Sequence, residues 1–163
     1  MNQEDTPRPP FQTQREFRDA IRAALETAAA QNVQTMCWVD ADFMAWPLDA
    51  RETIDALQSW VGARRRLTLL ASGFDEMPRR HPRFVAWRRQ WAHVVTGRAV
   101  ALDASEMPTL LLLDKTAGLT VLDRVKGRGH WFADETEVRA AHELVDALLQ
   151  RSEESFPATT LGL

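Results

Sequence analysis

The sequence predicts a single α/β domain, a layered mixed sheet with flanking helices. Stretches with apolar residues at helical spacing alternate with short strand-like runs, an order typical of layered α/β folds. A hairpin signal follows in the second half of the chain, where LLLLD and LTVLDRV flank the turn KTAG. The length of 163 residues and the hydrophobic content of 45% suit one core of ordinary size, so we expect no second domain.

The first half of the chain supplies two helices and two strands in alternation. Residues 13–16 (TQRE) form a capping-box pattern, and the apolar residues after them repeat at helical spacing to about Ala30. Residues 33–39 are rich in β-formers and predict the first strand. A second helix start is indicated by residues 49–52 (DARE), and residues 66–71 (RLTLLA) predict the second strand.

The third helix is predicted to begin at His81-Pro82, since proline suits the first helical turn. Its spacing places Trp87 and Trp91 on the covered side. The other side is then expected to point outward, with three arginines as candidates for anion binding: Arg83, Arg88 and Arg89.

The remaining elements are a short strand region, the hairpin and a last helix. The strand region comprises residues 94–95 and 98–102 and is interrupted by Gly97. The hairpin spans residues 107–125. Apolar residues at helical spacing over 135–151 predict a helix that covers the sheet.

Both termini are predicted to lie outside the domain, which spans residues 13–151. Residues 1–12 hold three prolines and no periodicity, so we expect a disordered arm. Residues 152–163 form a C-terminal tail with apolar residues that either pack on the domain or dock on a protein partner: Phe156, Leu161 and Leu163.

Composition favours a cytoplasmic protein without a cofactor. No apolar run is long enough for a membrane span, and the polar N-terminus does not resemble a secretory signal. The one cysteine, Cys37, lies in an apolar run and is expected to be a buried structural thiol. No spacing matches a metal site, and Asp40 with Asp42 is expected to be a strand-end pair.

Arginines are concentrated in one part of this acidic chain. The window from Arg64 to Arg98 holds nine arginines and two acidic residues, whereas the whole chain has a net charge of −3. Such a window is an alternative nucleic-acid surface. Within it, Trp87 and Trp91 lie on one helical face and Arg88 and Arg89 on another, so stacking and charge are not expected to share a surface.

The hairpin carries a resemblance to a known family. With Trp38-Val-Asp40, RLTLLASGFDE and GRAV, the segment LLLLDKTAGLTVLDR resembles one half of the phospholipase D fold, as found in small bacterial proteins of unknown function. The family motif is His-x-Lys-x-x-x-x-Asp. Alignment on Asp114 places Met107 at the histidine and Thr109 at the lysine, so the resemblance implies a degenerate, catalytically inactive site.

A second candidate site lies in KGRGHW, where two glycines would let backbone amides approach an anion. The alternative is a flexible loop with a solvated basic edge. The candidate anion-binding residues in and beside this segment are Arg124, Lys126, Arg128 and His130.

The leading interpretation is therefore a catalytically inactive phospholipase D-like domain that acts as a binding or assembly module. The resemblance also implies a homodimer. One alternative is a phosphodiesterase or phosphoryl-transfer enzyme that uses His130. Another is a nucleic-acid-associated protein that uses the Arg64 to Arg98 surface, although the acidic total argues against nucleic acid as a partner.

Overall fold

A computed structural model of the chain describes residues 8–157 and confirms the α/β prediction, with a seven-stranded mixed sheet between helices. The helices are α1 (Gln14–Ala30), α2 (Arg51–Trp60), α3 (Met77–Arg80), α4 (Pro82–Gln90) and α5 (Glu135–Gln150). The strands are β1 (Thr35–Val39), β2 (Arg66–Ala71), β3 (Val95–Val100), β4 (Thr109–Leu113), β5 (Ala117–Asp123), β6 (Arg128–Phe132) and β7 (Ser152–Ser155).

The strand order is β6-β5-β4-β1-β2-β3-β7. β1, β2 and β3 are parallel to one another, and the other neighbouring strands pair antiparallel. We call the side of the sheet where these three strands begin its amino end, and the side where they finish its carboxyl end. Helices α1, α2 and α4 each finish a few residues before one of these strands begins, so their last turns lie near the amino end.

The sheet separates two apolar layers because consecutive strand residues point to opposite faces. Trp38 of β1 packs with residues of α1, α2 and α4, whereas its neighbour Val39 packs in the layer beneath α5. β4 is buried along its whole length and contributes to both layers, which suits its uninterrupted TLLLL sequence.

Side chains cap the two longest helices. The Thr13 hydroxyl accepts a hydrogen bond from the Glu16 amide at 3.1 Å, as the capping-box pattern predicts. At the start of α5, the Asp134 carboxylate accepts from the amides of Thr136 and Glu137 at 3.0 and 3.2 Å. These bonds satisfy amides that the first helical turn leaves without partners.

The segment after α5 corrects the predicted tail, because Ser152–Ser155 form the sheet strand β7. Phe156, which follows, is buried and stacks on Phe74 with ring centroids 5.0 Å apart. The predicted domain boundary at the end of the last helix is thus too early, since helical spacing stops there while sheet pairing continues. Leu161 and Leu163 lie outside the described residues.

β3 is continuous through Gly97, which corrects the predicted interruption. A Cβ atom on Gly97 would lie 2.6 Å from the Ser155 carbonyl oxygen and 2.7 Å from the Cβ of Phe156. Glycine is required at this position by the close approach of the next strand, and it does not break the pairing.

Two further predictions, a loop at KGRGHW and a disordered arm over residues 1–12, are wrong where β6 forms. Phe11 exchanges backbone hydrogen bonds with Gly129 of β6, at 3.1 and 3.0 Å, and its ring is buried. The part of the arm next to the domain is therefore attached to the sheet. Residues 1–7 lie outside the described range.

Candidate functional site

The three residues aligned with the phospholipase D motif are spread along β4. Thr109 begins this strand and Asp114 follows its last residue, while Met107 is buried just before it. Because β4 is antiparallel to β1, Thr109 lies at the carboxyl end of the sheet and Asp114 at the amino end. The structure therefore does not bring Asp114 together with the other two.

Thr109 and Asp114 have internal hydrogen-bond partners. The Thr109 hydroxyl donates to the carboxylate of Asp40, which is 4% exposed and also accepts from the Phe43 amide at 2.8 Å. The Asp114 carboxylate accepts from the Thr35 amide at 2.9 Å and so holds the start of β1. Both carboxylates are engaged in keeping the backbone in place.

A cavity of about 130 Å³ lies beside Asp40 at the carboxyl end of the sheet. Its lining includes Gln14, Asp42, Trp46 and Arg124. Within residues 8–157, no group of three or more His, Cys, Asp and Glu side chains is placed to hold a metal ion.

The KGRGHW candidate site is not assembled. Gly129 donates its amide to Phe11 and Gly127 donates to the carbonyl of Asp123, so these amides are occupied by backbone partners. The His130 ring lies 3.3 Å from a Glu137 oxygen. Arg124 donates to backbone carbonyls at 104 and 107. Lys126 and Arg128 are exposed.

Among the predicted anion-binding residues, Arg88 differs most from its predicted position. It was expected to face outward, yet it is 6% exposed and donates from Nε to the Phe156 carbonyl oxygen at 3.1 Å. Burial lowers the pKa of its guanidinium, and nearby Glu154 opposes that shift. The cause of the error is β7, whose unforeseen docking brings Phe156 over this side of α4.

Of the other arginines in the 64–98 window, Arg98 lies within β3 and donates to Ser152, and the rest divide between the two ends of the sheet. At the carboxyl end, Arg79 forms a salt bridge with Glu76, and Arg83 donates to the Asp49 carbonyl oxygen at 3.0 Å. The Arg83 amide also donates to the Asp49 carboxylate at 2.9 Å. Acidic neighbours therefore balance much of the positive charge there.

At the amino end, three exposed arginines come from separate elements: Arg64, Arg66 and Arg89. We call them the amino-end arginines. Arg64 lies in the turn after α2, Arg66 begins β2, and Arg89 lies in the last turn of α4. The salt bridges within residues 8–157 that involve arginine use Arg22, Arg79 and Arg139 instead.

Backbone contacts fix this end of the molecule. The Leu67 amide donates to the Val94 carbonyl at 3.0 Å, which ties the start of β2 to the turn before β3. Arg65 donates from Nε to the Trp60 carbonyl at 3.0 Å, so it anchors the turn that presents Arg64. The amino-end arginines therefore project from an ordered surface.

Two aromatic side chains share the amino end with these arginines. The rings of Trp91 and His93 are 5.8 Å apart, centroid to centroid, and inclined at 43°. Trp91 is partly buried and His93 is exposed. Neither residue was among the predicted site residues. They could have been placed here from the predicted order of helices and strands along the chain, because segments that precede parallel neighbouring strands meet at one end of a sheet.

Comparisons with known proteins identify the fold. No protein-family profile and no curated protein matches the sequence. Among solved structures, the chain is similar to TrmBL2, an archaeal chromatin protein whose structure shows a mode of DNA binding. The TM-score is 0.64 at 14% identity, over 91% of this chain and 54% of TrmBL2. The chain thus spans about half the length of that protein.

This likeness overturns two expectations. Nucleic acid was set aside as a partner, and a catalytically inactive assembly module was the leading interpretation. Both are corrected by this finding, because the structure that the chain resembles is that of a DNA-binding chromatin protein. The acidic net charge misled the prediction, since a total charge does not show how charge is distributed. The resemblance to phospholipase D stays a prediction.

Within the described range, no helix is both long and apolar enough to cross a membrane.

Proposed function

We propose that the chain associates with nucleic acid and that the amino-end arginines contact the phosphates. The observation that carries this proposal is the likeness to a DNA-binding chromatin protein over 91% of the chain. At 14% identity, the contacting residues have to be found in this chain itself. A cytoplasmic location, where nucleic acid is accessible, is part of the same proposal.

The charge distribution supports the amino-end arginines as the contact surface. An arginine side chain presents five N–H donors in a planar fork that matches phosphate geometry. The net charge of −3 does not prevent such contacts, because charges more than about 8 Å away are largely screened at physiological salt. The carboxyl-end arginines are less suited, since Glu76 and Asp49 lie in contact with them.

The test compares two triple variants by fluorescence anisotropy with labelled oligonucleotides. Arg64→Glu, Arg66→Glu and Arg89→Glu together should weaken binding strongly while leaving it measurable at low salt. The matched control is Arg79→Glu, Arg80→Glu and Arg83→Glu, which changes the net charge equally at the opposite end of the sheet and should weaken binding less.

Salt dependence is the second readout. Loss of three phosphate contacts should reduce the slope of log affinity against log salt by about 2 to 3. Equal weakening by both triple variants would show that general charge, and not this surface, governs binding. Absence of binding to duplex and single strand at low salt would refute the proposed function.

A further inference from the structure

We infer that Trp91 and His93 form a stacking site for an unpaired nucleobase, so that the amino end binds single-stranded nucleic acid in preference to duplex. The inference rests on the proposed function and deepens it by naming the class of nucleic acid. It starts from Trp91, which follows the last residue of α4 and has the exposed His93 ring beside it.

Trp91 lies outside the regular helix. α4 finishes at Gln90, and Trp91 has φ −112° and ψ 44°. Its carbonyl accepts from the amides of Val94 and Val95, at 2.9 and 3.1 Å, in the turn that enters β3. Its amide still donates to the Trp87 carbonyl at 3.1 Å, so Trp91 stays on the side of Trp87, and its ring is partly accessible because the helix ends there.

The Trp91 ring is held in place by Gln58 of α2. Its Nε1 donates to Gln58 Oε1 at 3.2 Å, and the same oxygen accepts from Trp87 Nε1 at 3.2 Å. Trp87 is 3% exposed and belongs to the core, whereas Trp91 remains partly accessible. A fixed aromatic ring loses little conformational freedom when a ligand stacks on it.

The surroundings of Trp91 favour nucleic acid as the ligand. Trp91 closes the last turn of α4, the turn that carries Arg89, and its segment is bonded to β2 beside Arg66. Proteins that bind single strands combine cationic side chains, which follow the backbone, with aromatic rings, on which bases stack. Bases within a duplex are already stacked and paired, so a surface aromatic adds little to duplex binding.

The chain offers a spectroscopic probe of this site. Trp38, Trp46, Trp60 and Trp87 are at most 3% exposed. Trp131 is partly exposed, with the Arg8 guanidinium 4.1 Å from its ring centroid. In a Trp131→Phe background, quenching of indole fluorescence by an added oligonucleotide therefore reports mainly on Trp91.

The experiment titrates this background with oligothymidylate of about 15 nucleotides and with the corresponding duplex. We expect quenching and tighter binding with the single strand. The variants that lack Trp91 also lack the indole probe, so their affinities are measured by fluorescence anisotropy with labelled oligonucleotides. Trp91→Ala with His93→Ala should weaken single-strand binding roughly 5- to 100-fold and leave duplex binding within about twofold. Trp91→Phe keeps a stacking ring and should retain most of the single-strand affinity. If the double alanine variant does not fold, Trp91→Phe and the indole quenching still test the stacking site.

The outcomes separate this inference from the proposed function. If neither oligonucleotide binds, the proposed function fails and the stacking site fails with it. If duplex and single strand bind equally through the amino-end arginines, without indole quenching, the stacking site alone is refuted. Equal weakening of both ligands by the double alanine variant would likewise refute it.

Discussion

Phe156 lies directly against Gly97 of the neighbouring strand, at a distance that leaves no room for a side chain on the glycine. A Cβ atom there would be 2.7 Å from the Cβ of Phe156. The Phe156 ring meanwhile stacks on Phe74 and on Phe84, with centroids 5.0 and 6.3 Å apart. The absence of a side chain at one position thus determines how β7 packs.

Gly97→Ala is expected to destabilise the domain. The added methyl group would displace Phe156 and Ser155, and overpacking of this kind typically costs about 1 to 3 kcal/mol. Thermal melting should therefore fall by several degrees. The matched control is Gly62→Ala, because nothing lies within 4 Å of a Cβ built at Gly62. Equal melting temperatures for the two variants would contradict the proposed contact.

Arg88→Glu should destabilise the protein far more than Arg89→Glu. Arg88 is buried and its Nε donates to the Phe156 carbonyl, so a carboxylate there would be desolvated and would face an acceptor. Arg89 is exposed, and charge changes at such positions usually cost under about 0.5 kcal/mol. Urea denaturation of the two single variants measures the difference. Similar midpoints would mean that Arg88 is solvated.

Cys37 is expected to react slowly with alkylating reagents in the native state. Burial is the main cause that raises the pKa of its thiol from 9.0 to about 12, and the negative charge of the nearby Asp146 adds to the shift. The reactive thiolate is therefore scarce at pH 8. Mass spectrometry should show little modification before urea is added and rapid modification afterwards. Fast native labelling would show an accessible thiolate.

The same pKa shift links stability to alkaline pH. The unfolded thiol loses its proton near pH 9.0 and the folded thiol near 12, so the stabilisation is complete below 9.0 and is lost as pH rises through this window. Cys37→Ala should remove this part of the pH dependence. An unchanged slope in the variant would assign the alkaline loss to other groups.

Local signals predicted much of the fold correctly. The Thr13 cap, the apolar helical spacings and the hairpin at Asp114 depend on residues close in sequence, and each is present in the structure. β6 and β7 were missed because their pairings join distant segments. Phe11 with Gly129 and Gly97 with Ser155 are contacts that no local pattern indicates.

The candidate site was predicted only in part. The arginine window was recognised, but helix α4 crosses from one end of the sheet to the other, so neighbours in sequence reach opposite ends. Arg83 and Arg89 are separated in this way, while Arg66 and Arg89 are brought to the same end. The grouping of charge in space depends on the strand order, which no local sequence pattern indicates.

The pairing of β3 with β7 also bears on the order of folding. Its register matches Gly97 with Ser155, and β4, β5, β6 and α5 all lie between them in the chain. Closing so large a loop costs entropy, so this pairing is expected late, after the central strands have formed. Until then β3 is an open strand edge, available for association between partly folded chains. Once Phe156 has docked, β7 covers this edge of β3 and such association is no longer possible.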